Sequence, residues 1–502
     1  MKEAKRYHPL LLVFQLKTLL RSSFIIAIYL FLIKAGSDAV FYTYARHAFF
    51  LGIGLSVFSM IYKWFTRKYK LEQGSFQLYK GLFSISRQTI PFSKVQNVHR
   101  HTSWLHHLFH LTSITFETNM EDKEDSVIFR AVSPVEADRM EEMVKQQESR
   151  HDEAFFLSEE EPGASDPAVE TSPSKTVHFK PGVKDHVKAS ITSLSFLALL
   201  PVLFSLSSNL DSINALPRLL ENSAAPPLFD AWWKISLLVL VVAGAAFLFG
   251  AVRTVLQYGR YEIVSDSQRI YITKGFFNAT SFSILKNKVQ AIECRQPPVK
   301  RWLGITEVRL ISAGGLNEEN ETKEITTLYP FLSEGHAREL IEEMLPAYTM
   351  AEHMDPLPRK SLAVRLARPS WVWFTATLLL FYFEPSLFGF EIAWWGLSAV
   401  LLGLVLVSRL LDFFHTHYTL QDECIQWKKG SWTTFLFLTK REKIAEIACK
   451  RGFLQKKAGL ASLETINRAT PVKHTELDDI PAEWSRQMQQ WYHQRTKEIT
   501  TQ

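Results

Sequence analysis

Three kinds of short stretch in this chain carry residue types and spacings that could do chemistry. His99, His101, His106, His107 and His110 form the densest histidine group, and imidazoles gathered like that are a donor set for a transition metal. Ser283 and Lys286 stand at the spacing in which a lysine can activate a serine nucleophile. Basic pairs recur as His106-His107, Lys300-Arg301 and Lys456-Lys457, a chemistry suited to holding phosphate or carboxylate.

An internal repeat decides between these readings. Lys80-Gly81 recurs as Lys274-Gly275 and Lys429-Gly430, at offsets of 194 and then 155 residues. The same offsets carry Lys94-Val95 onto Lys288-Val289 and Lys443-Ile444, and Leu111 onto Ile305 and Leu460. A register held without a gap over that distance marks three copies of one unit. The histidines do not share it. Their second-copy counterparts are Glu293, Arg295, Lys300, Arg301 and Gly304, so no metal is common to the repeat, and the serine–lysine spacing occurs in one copy only. No phosphate-binding glycine loop, HExxH or G-x-S-x-G is present. The chain is expected to be no enzyme, with no catalytic residue, cofactor or metal.

The basic positions do recur. Lys94, Lys288 and Lys443 are equivalents; so are His107, Arg301 and Lys456, accompanied by Lys300 and Lys457. They are the candidate contacts for an anionic lipid or protein partner, each worth about 1 kcal/mol beside anionic lipid. The competing reading is a solvated turn or strand edge that touches nothing.

The 502 residues are 47% hydrophobic and 13% aromatic with a net charge of +6, which fits alternating membrane and water-exposed parts. Three cysteines, Cys294, Cys424 and Cys449, are too few for a disulfide framework and fit a reducing compartment. Cys294 and Cys449 are equivalents and read as buried or half-buried strand positions. Six apolar stretches fall in three pairs, 22–42 with 48–64, 191–208 with 232–252, and 371–387 with 392–411, near the length that crosses a hydrocarbon core. The segment 10–20 reads as an amphipathic lead-in. Trp232, Trp233, Trp371, Trp373, Trp394 and Trp395 sit at segment ends, where indoles favour the headgroup layer. Lys and Arg crowd the flanks of each pair and are scarce in the loops within it, so both termini and all three repeated domains are expected in the cytoplasm, in a multi-pass cell-membrane protein. No cleavable signal peptide is recognisable. Glu384 and Glu391 fall in a short outer loop, and the spans lack the mid-span charges of a substrate path.

Within each copy, short runs rich in β-branched and aromatic residues alternate with turn residues, as in 261–264, 269–273, 276–284, 289–295 and 306–312. The glycine at 81, 275 and 430 suits a hairpin with positive φ, with the preceding lysine in water. A helix is expected to close each copy at 133–147, 333–345 and 479–492. Some seven strands and one helix make a small β barrel or sandwich plugged by that helix.

Arg6-Tyr7-His8-Pro9, the Lys-Val-Gln segments at 94–96 and 288–290, the phrase Val299-Lys300-Arg301-Trp302-Leu303-Gly304-Ile305 and the three membrane pairs carry a resemblance. The chain is similar to the bacterial pleckstrin-homology-like (bacterial PH domain) multi-pass membrane proteins, YdbT type, over nearly its whole length outside 148–175. The third copy departs with Lys443-Ile444-Ala445, and the first has His110 where the others have Gly304 and Gly459. The resemblance implies PH-like domains, a smaller companion membrane protein carrying one such domain, and a role in the cell envelope, including tolerance of antimicrobial peptides.

The fold class expected is three repeats of a transmembrane helical hairpin followed by a mainly-β PH-like domain. The expected layout is an interfacial segment and first membrane pair over 1–66, a domain over 67–147 and an acidic disordered linker over 148–188. A second pair over 189–256 and domain over 257–346 come next, then a linker over 347–368, a third pair over 369–414 and a domain over 415–495. The function expected is a non-enzymatic scaffold presenting three domains for protein or anionic-lipid binding beneath the membrane, with strand addition at an exposed sheet edge as one mode of peptide capture. The rivals are a transporter or pore component and an anionic-lipid-sensing regulator. No nucleic-acid partner is expected.

Overall fold

Apolar residues dominate the first long helices, and period-two alternation builds the strands after them. The structure is a computed structural model that describes residues 5–34, 40–156, 176–182, 185, 188–189, 192 and 232–500, except 73, 82–85, 119–125, 277–278, 313–326, 384–385, 388–389, 392–393, 422 and 470–471. Two units are present, one of Met1–Ser172 with Phe277–Ser283 and one of Pro173–Phe276 with Ile284–Gln502.

In the first unit, helix α1 (Leu11–Ile28) continues as a π-helical turn, and α2 (Val40–Thr66) runs 27 residues. Strands β1 (Lys5–Arg6), β2 (Lys68–Glu72), β3 (Ser75–Lys80) and β4 (Ser86–Pro91) make an antiparallel sheet in that order. Strands β5 (Val95–Thr102), β6 (Thr112–Thr118) and β7 (Ser126–Val132) pair antiparallel, with the short helix α3 (Trp104–Leu108) between β5 and β6. Helix α4 (Pro134–Phe156) closes the module through Ala137, Met140 and Val144. Phe76, Phe92, Phe116 and Phe129 fill its core, with the Phe76 ring 4.6 Å from both Phe92 and Phe116. Each such ring removed from water contributes about 2 to 3 kcal/mol. Residues 279–283 also lie along β5 in this unit, where Phe282 stacks on His99 at 4.0 Å.

In the second unit, β8 (Thr176–Phe179), β9 (Glu262–Ser265) and β10 (Arg269–Lys274) pair antiparallel, with α5 (Trp232–Tyr258) between β8 and β9 in the chain. After β11 (Ala279–Leu285) come β12 (Val289–Gln296), helix α6 (Pro298–Trp302), β13 (Ile305–Ser312), β14 (Thr327–Ser333) and helix α7 (Glu334–Met344). The third copy starts with β15 (Asp355–Pro356), α8 (Arg359–Ala367), α9 (Trp371–Phe383), a hairpin of β16 (Ser386–Leu387) and β17 (Phe390–Glu391), and α10 (Trp394–His415). It continues through β18 (His417–Leu420), β19 (Cys424–Lys429), β20 (Thr434–Lys440), β21 (Ile444–Lys450), α11 (Phe453–Ala458), β22 (Leu460–Asn467), β23 (Lys473–Pro481) and α12 (Ala482–Thr500).

The second and third copies are not beads on a string. Strand β12 pairs with β20 from Ala291↔Thr439 to Gln296↔Thr434, which fuses two modules into one seven-stranded sheet of order β14-β13-β12-β20-β19-β18-β15. Lys473 forms an ion pair with Glu293 at 2.5 Å across this seam, and Lys443 donates to the Asn287 carbonyl at 3.0 Å.

Several expectations change. Helix α1 begins at Leu11 and takes in the apolar part of the 10–20 lead-in, because Lys17 and Arg21 do not interrupt its backbone hydrogen bonds. Helix α9 has 13 residues, about 20 Å at 1.5 Å per residue, short of a hydrocarbon core by itself. The segment 191–208 lies almost wholly outside the described residues. Three described helices are long and apolar enough to cross a membrane: Leu11–Phe31, Val40–Thr66 and Trp394–His415. The acidic linker 148–188 holds the end of α4 and strand β8, since Val177 and Phe179 pair with Val264 and Ile263. The linker 347–368 holds β15 and α8. Gly81, Gly275 and Gly430 take the positive φ that the turn asks for, at 99°, 95° and 125°. Lys429 does not point to water; it is partly buried and donates to the Glu476 carbonyl, and burial pulls its ammonium below the ordinary range against the pull of Asp478, Glu476 and Asp412.

Candidate functional site

The helices α3, α6 and α11 occupy one position in the three copies, between strands β5 and β6 and their equivalents. Each is a single turn ended by a left-handed residue, His110 at φ 52°, Gly304 at 64° and Gly459 at 73°. Only glycine takes that conformation without a Cβ penalty, so the first copy is strained where the sequence departs from the others.

One side chain on each turn points inward. His106, Lys300 and Gln455 are equivalents, and all three are buried. His106 Nε2 lies 2.9 Å from the Arg130 carbonyl, and its Nδ1 lies 2.7 Å from the Ser103 hydroxyl. Lys300 donates to Glu307 at 3.1 Å and to the Pro330 carbonyl at 2.9 Å, with the Phe331 ring 4.9 Å away. Gln455 donates to Asp479 and to Ser462, both at 2.8 Å. Lys300 therefore corrects the expectation of a surface contact: it pins the turn to the strands. Burial lowers its ammonium and the His106 imidazole, against Glu307 in one case and the Arg130 bond in the other.

The neighbouring side chains face out. His107, Lys456 and Lys457 are exposed and Arg301 is half-buried. Around them stand large apolar groups that the sequence reading missed: Trp104, Leu108 and Phe109 in the first copy, Trp302 at 86% exposure and Leu303 in the second, Phe453 at 71% and Leu454 in the third. The signal was present in the phrase around Trp302, since an aromatic between cations and a turn glycine has no core to fill. Each turn adjoins a long apolar helix or, in the third copy, the helix α8 that leads into the apolar α9. Phe14 of α1 stacks on His106 at 4.0 Å, Arg301 Nη1 lies 3.5 Å from His415 Nδ1 at the end of α10, and α11 packs against α8. Aromatic rings interleaved with cations at that level suit the headgroup layer of a bilayer.

The remaining expected positions divide. Lys94 is exposed and Lys288 half-buried on the 3-10 turns before β5 and β12, away from the turns just described in sequence and topology. Lys443 is committed to Glu442 at 3.2 Å and to the Asn287 carbonyl. The histidine cluster is dispersed by its strand: His99 is buried 2.8 Å from Glu117, and His106 faces Arg130. Cys294 is buried and its thiol is pushed up to about 12, chiefly by burial, as a strand cysteine and not a reactive one.

A second polar centre joins the third module to α10. Arg365 of α8 reaches Asp412 of α10 at 2.6 Å and Asp479 of β23 at 3.3 Å, and Arg368 reaches Asp479 at 2.7 Å. Asp479 is wholly buried at a φ of 62°, and Gly430 donates its backbone N–H to Asp412 at 3.0 Å. Burial would raise the Asp478 carboxyl, but the Ser462 hydroxyl and Arg368 hold it below the ordinary value.

The sequence profile of the bacterial PH domain matches residues 12–148, 205–347 and 374–496. The chain belongs to the bacterial PH domain family. Each match starts within an apolar segment, after the short strands β1, β8 and β15 and before the main run of strands, so the matched unit takes in helix as well as sheet. The chain is also similar to UPF0699 transmembrane protein YdbT of Bacillus subtilis (strain 168), with 25% identity over 506 residues and 98% of each chain covered. That relative is a transmembrane protein, and this chain carries the apolar helices to match.

Proposed function

We propose that the chain is a non-enzymatic membrane scaffold. It holds three bacterial PH domains at the inner face of the cell membrane, rests them on anionic headgroups through α3, α6 and α11, and presents their other surfaces to protein partners. The observation that carries this reading is the recurrence of exposed rings beside His107, Arg301, Lys456 and Lys457, next to membrane-proximal helices in every copy. The crowding of Lys and Arg on the same flanks supports the inner face, and tethering several weak sites at one surface raises their combined occupancy.

The test is hydrogen–deuterium exchange on the full chain in nanodiscs, with and without anionic phospholipid. Slower exchange over 104–108, 298–302 and 453–457 in the anionic discs is expected, and Arg301→Ala with Trp302→Ala removes it in the second copy. Equal exchange in both discs sinks the lipid part of the reading. The smaller companion protein joins the proposal as a partner of the scaffold, and a crosslinked pull-down from native membranes that enriches no small membrane protein counts against it. Envelope protection against antimicrobial peptides holds only if a deletion strain becomes more sensitive.

A further inference from the structure

We propose that β21 of one copy of this chain takes β4 of a second copy as its next strand, so that copies join head to tail. The pairing rule comes from the seam between the second and third modules, where β12 receives β20. The repeat offset of 155 residues carries β12 onto β21, and the two offsets together carry β20 onto β4. The acceptor edge of the last module and the donor edge of the first are therefore the same two edges that meet in the seam, and among the described residues no strand lies beside either. Among the described residues β21 ends a sheet of order β21-β22-β23 and β4 ends one of order β1-β2-β3-β4.

Burial records the difference. In β12 every residue from Val289 to Cys294 is buried, whereas Ala445, Glu446 and Lys450 of β21 are exposed, as are Ser86, Arg87 and Thr89 of β4 to differing degrees. Unpaired strand edges of this kind template association unless something blocks them. Carrying the seam register across places Glu446 opposite Ile90, Ile447 opposite Thr89, Ala448 opposite Gln88, Cys449 opposite Arg87 and Lys450 opposite Ser86. No like charges face each other. Pro91, which has no N–H to give, lies just beyond the paired stretch, and the Ala445 carbonyl, which accepts from Tyr492 at 2.8 Å, lies just before it.

A second copy is the occupant because it brings the matching donor edge, fixed to the same membrane and so concentrated in two dimensions. The contact is heterologous, which closes into a ring or continues as a row. It holds whether or not the modules bind lipid, so its failure and that of the scaffold reading are separable.

The test uses the full chain in membranes and two differently tagged versions, both with Cys294→Ala and Cys424→Ala. One keeps Cys449; the other carries Arg87→Cys with Cys449→Ala, so a disulfide of mixed tags can form only between copies. Mild oxidation is expected to give the mixed-tag dimer in a yield approaching that of a seam control, Arg295→Cys with Phe435→Cys and the three native cysteines replaced by Ala, which tests a directly opposed pair within one chain. Thr89→Asp on β4 is expected to cut the yield tenfold or more. The proposal is overturned if the control closes and no mixed dimer forms, if Thr89→Asp leaves the yield unchanged, or if Val135→Cys, exposed on α4, crosslinks to Cys449 as readily as Arg87→Cys. Capture of some other protein and no second copy by a photo-crosslinker at Glu446 overturns it too.

Discussion

Strands β12 and β21 are the same element in two copies, and they have opposite fates. β12 lies inside a seven-stranded sheet with β20 on its outer side; β21 ends its sheet. Their sequences reflect this. At equivalent positions Gln290 and Glu293 are buried in the seam, with Glu293 answered by Lys473, while Ala445 and Ala448 stand where no such partner exists among the described residues. A strand inside a repeat protein is shaped by the neighbour it receives as much as by its own fold.

The largest effect should come from attacking the covered edge and sparing the bare one. Leu438 of β20 is fully buried opposite Ile292, so Leu438→Asp is expected to cost about 4 kcal/mol or more by burying an unpaired charge. Its equivalent on the bare edge is tested by Thr89→Asp, expected to stay within about 0.5 kcal/mol. Protease resistance and thermal unfolding of the full chain in detergent would show it, and equal losses would abolish the contrast. Next comes the turn pin. Lys300→Ala is expected to cost about 2 kcal/mol by stranding the Pro330 carbonyl and Glu307 Oε2, Arg309 still holding Glu307 Oε1, against under about 0.5 kcal/mol for exposed Lys457→Ala.

The pin in the first copy extends the contrast to pH. Burial lowers the His106 imidazole from its ordinary value, so the folded state resists the proton that the unfolded chain accepts. Its stability is complete above about pH 6.5, the unfolded value, and declines as pH falls below that. His106→Gln, the residue type of the third copy, is expected to flatten the loss of thermal stability between about pH 6.5 and 5; an unaltered slope would deny His106 this part. Smallest is His110→Gly, which relieves a left-handed residue and is expected to stabilise the chain by about 0.5 to 1 kcal/mol. A fall in melting temperature would show that the His110 side chain is held there for another reason.

The strands, the closing helices and the Lys-Gly turns were legible because alternation and turn residues are local signals. Lys300 was misread because a lysine in a turn looks solvated; its equivalents His106 and Gln455 carried the correction, since hydrogen bonding and not charge is what the three share. Arg365 and Arg368 counted in sequence as basic flank, and only the fold supplies Asp412, Asp478 and Asp479 as their partners. The seam was illegible for a deeper reason. Nothing in the pattern of β12 states which strand will lie beside it, because pairing partners are chosen across 138 residues or more and not along the chain.

The Arg365 centre has a mechanical consequence. Because Asp412 sits on α10 and also holds the Gly430 backbone, while Arg365 grips Asp479, a twist of α10 about its own axis acts on the third module as torque on a keyed shaft. Through β20 that torque passes into β12. One ion-pair centre and one seam thus key α10 to two modules at once.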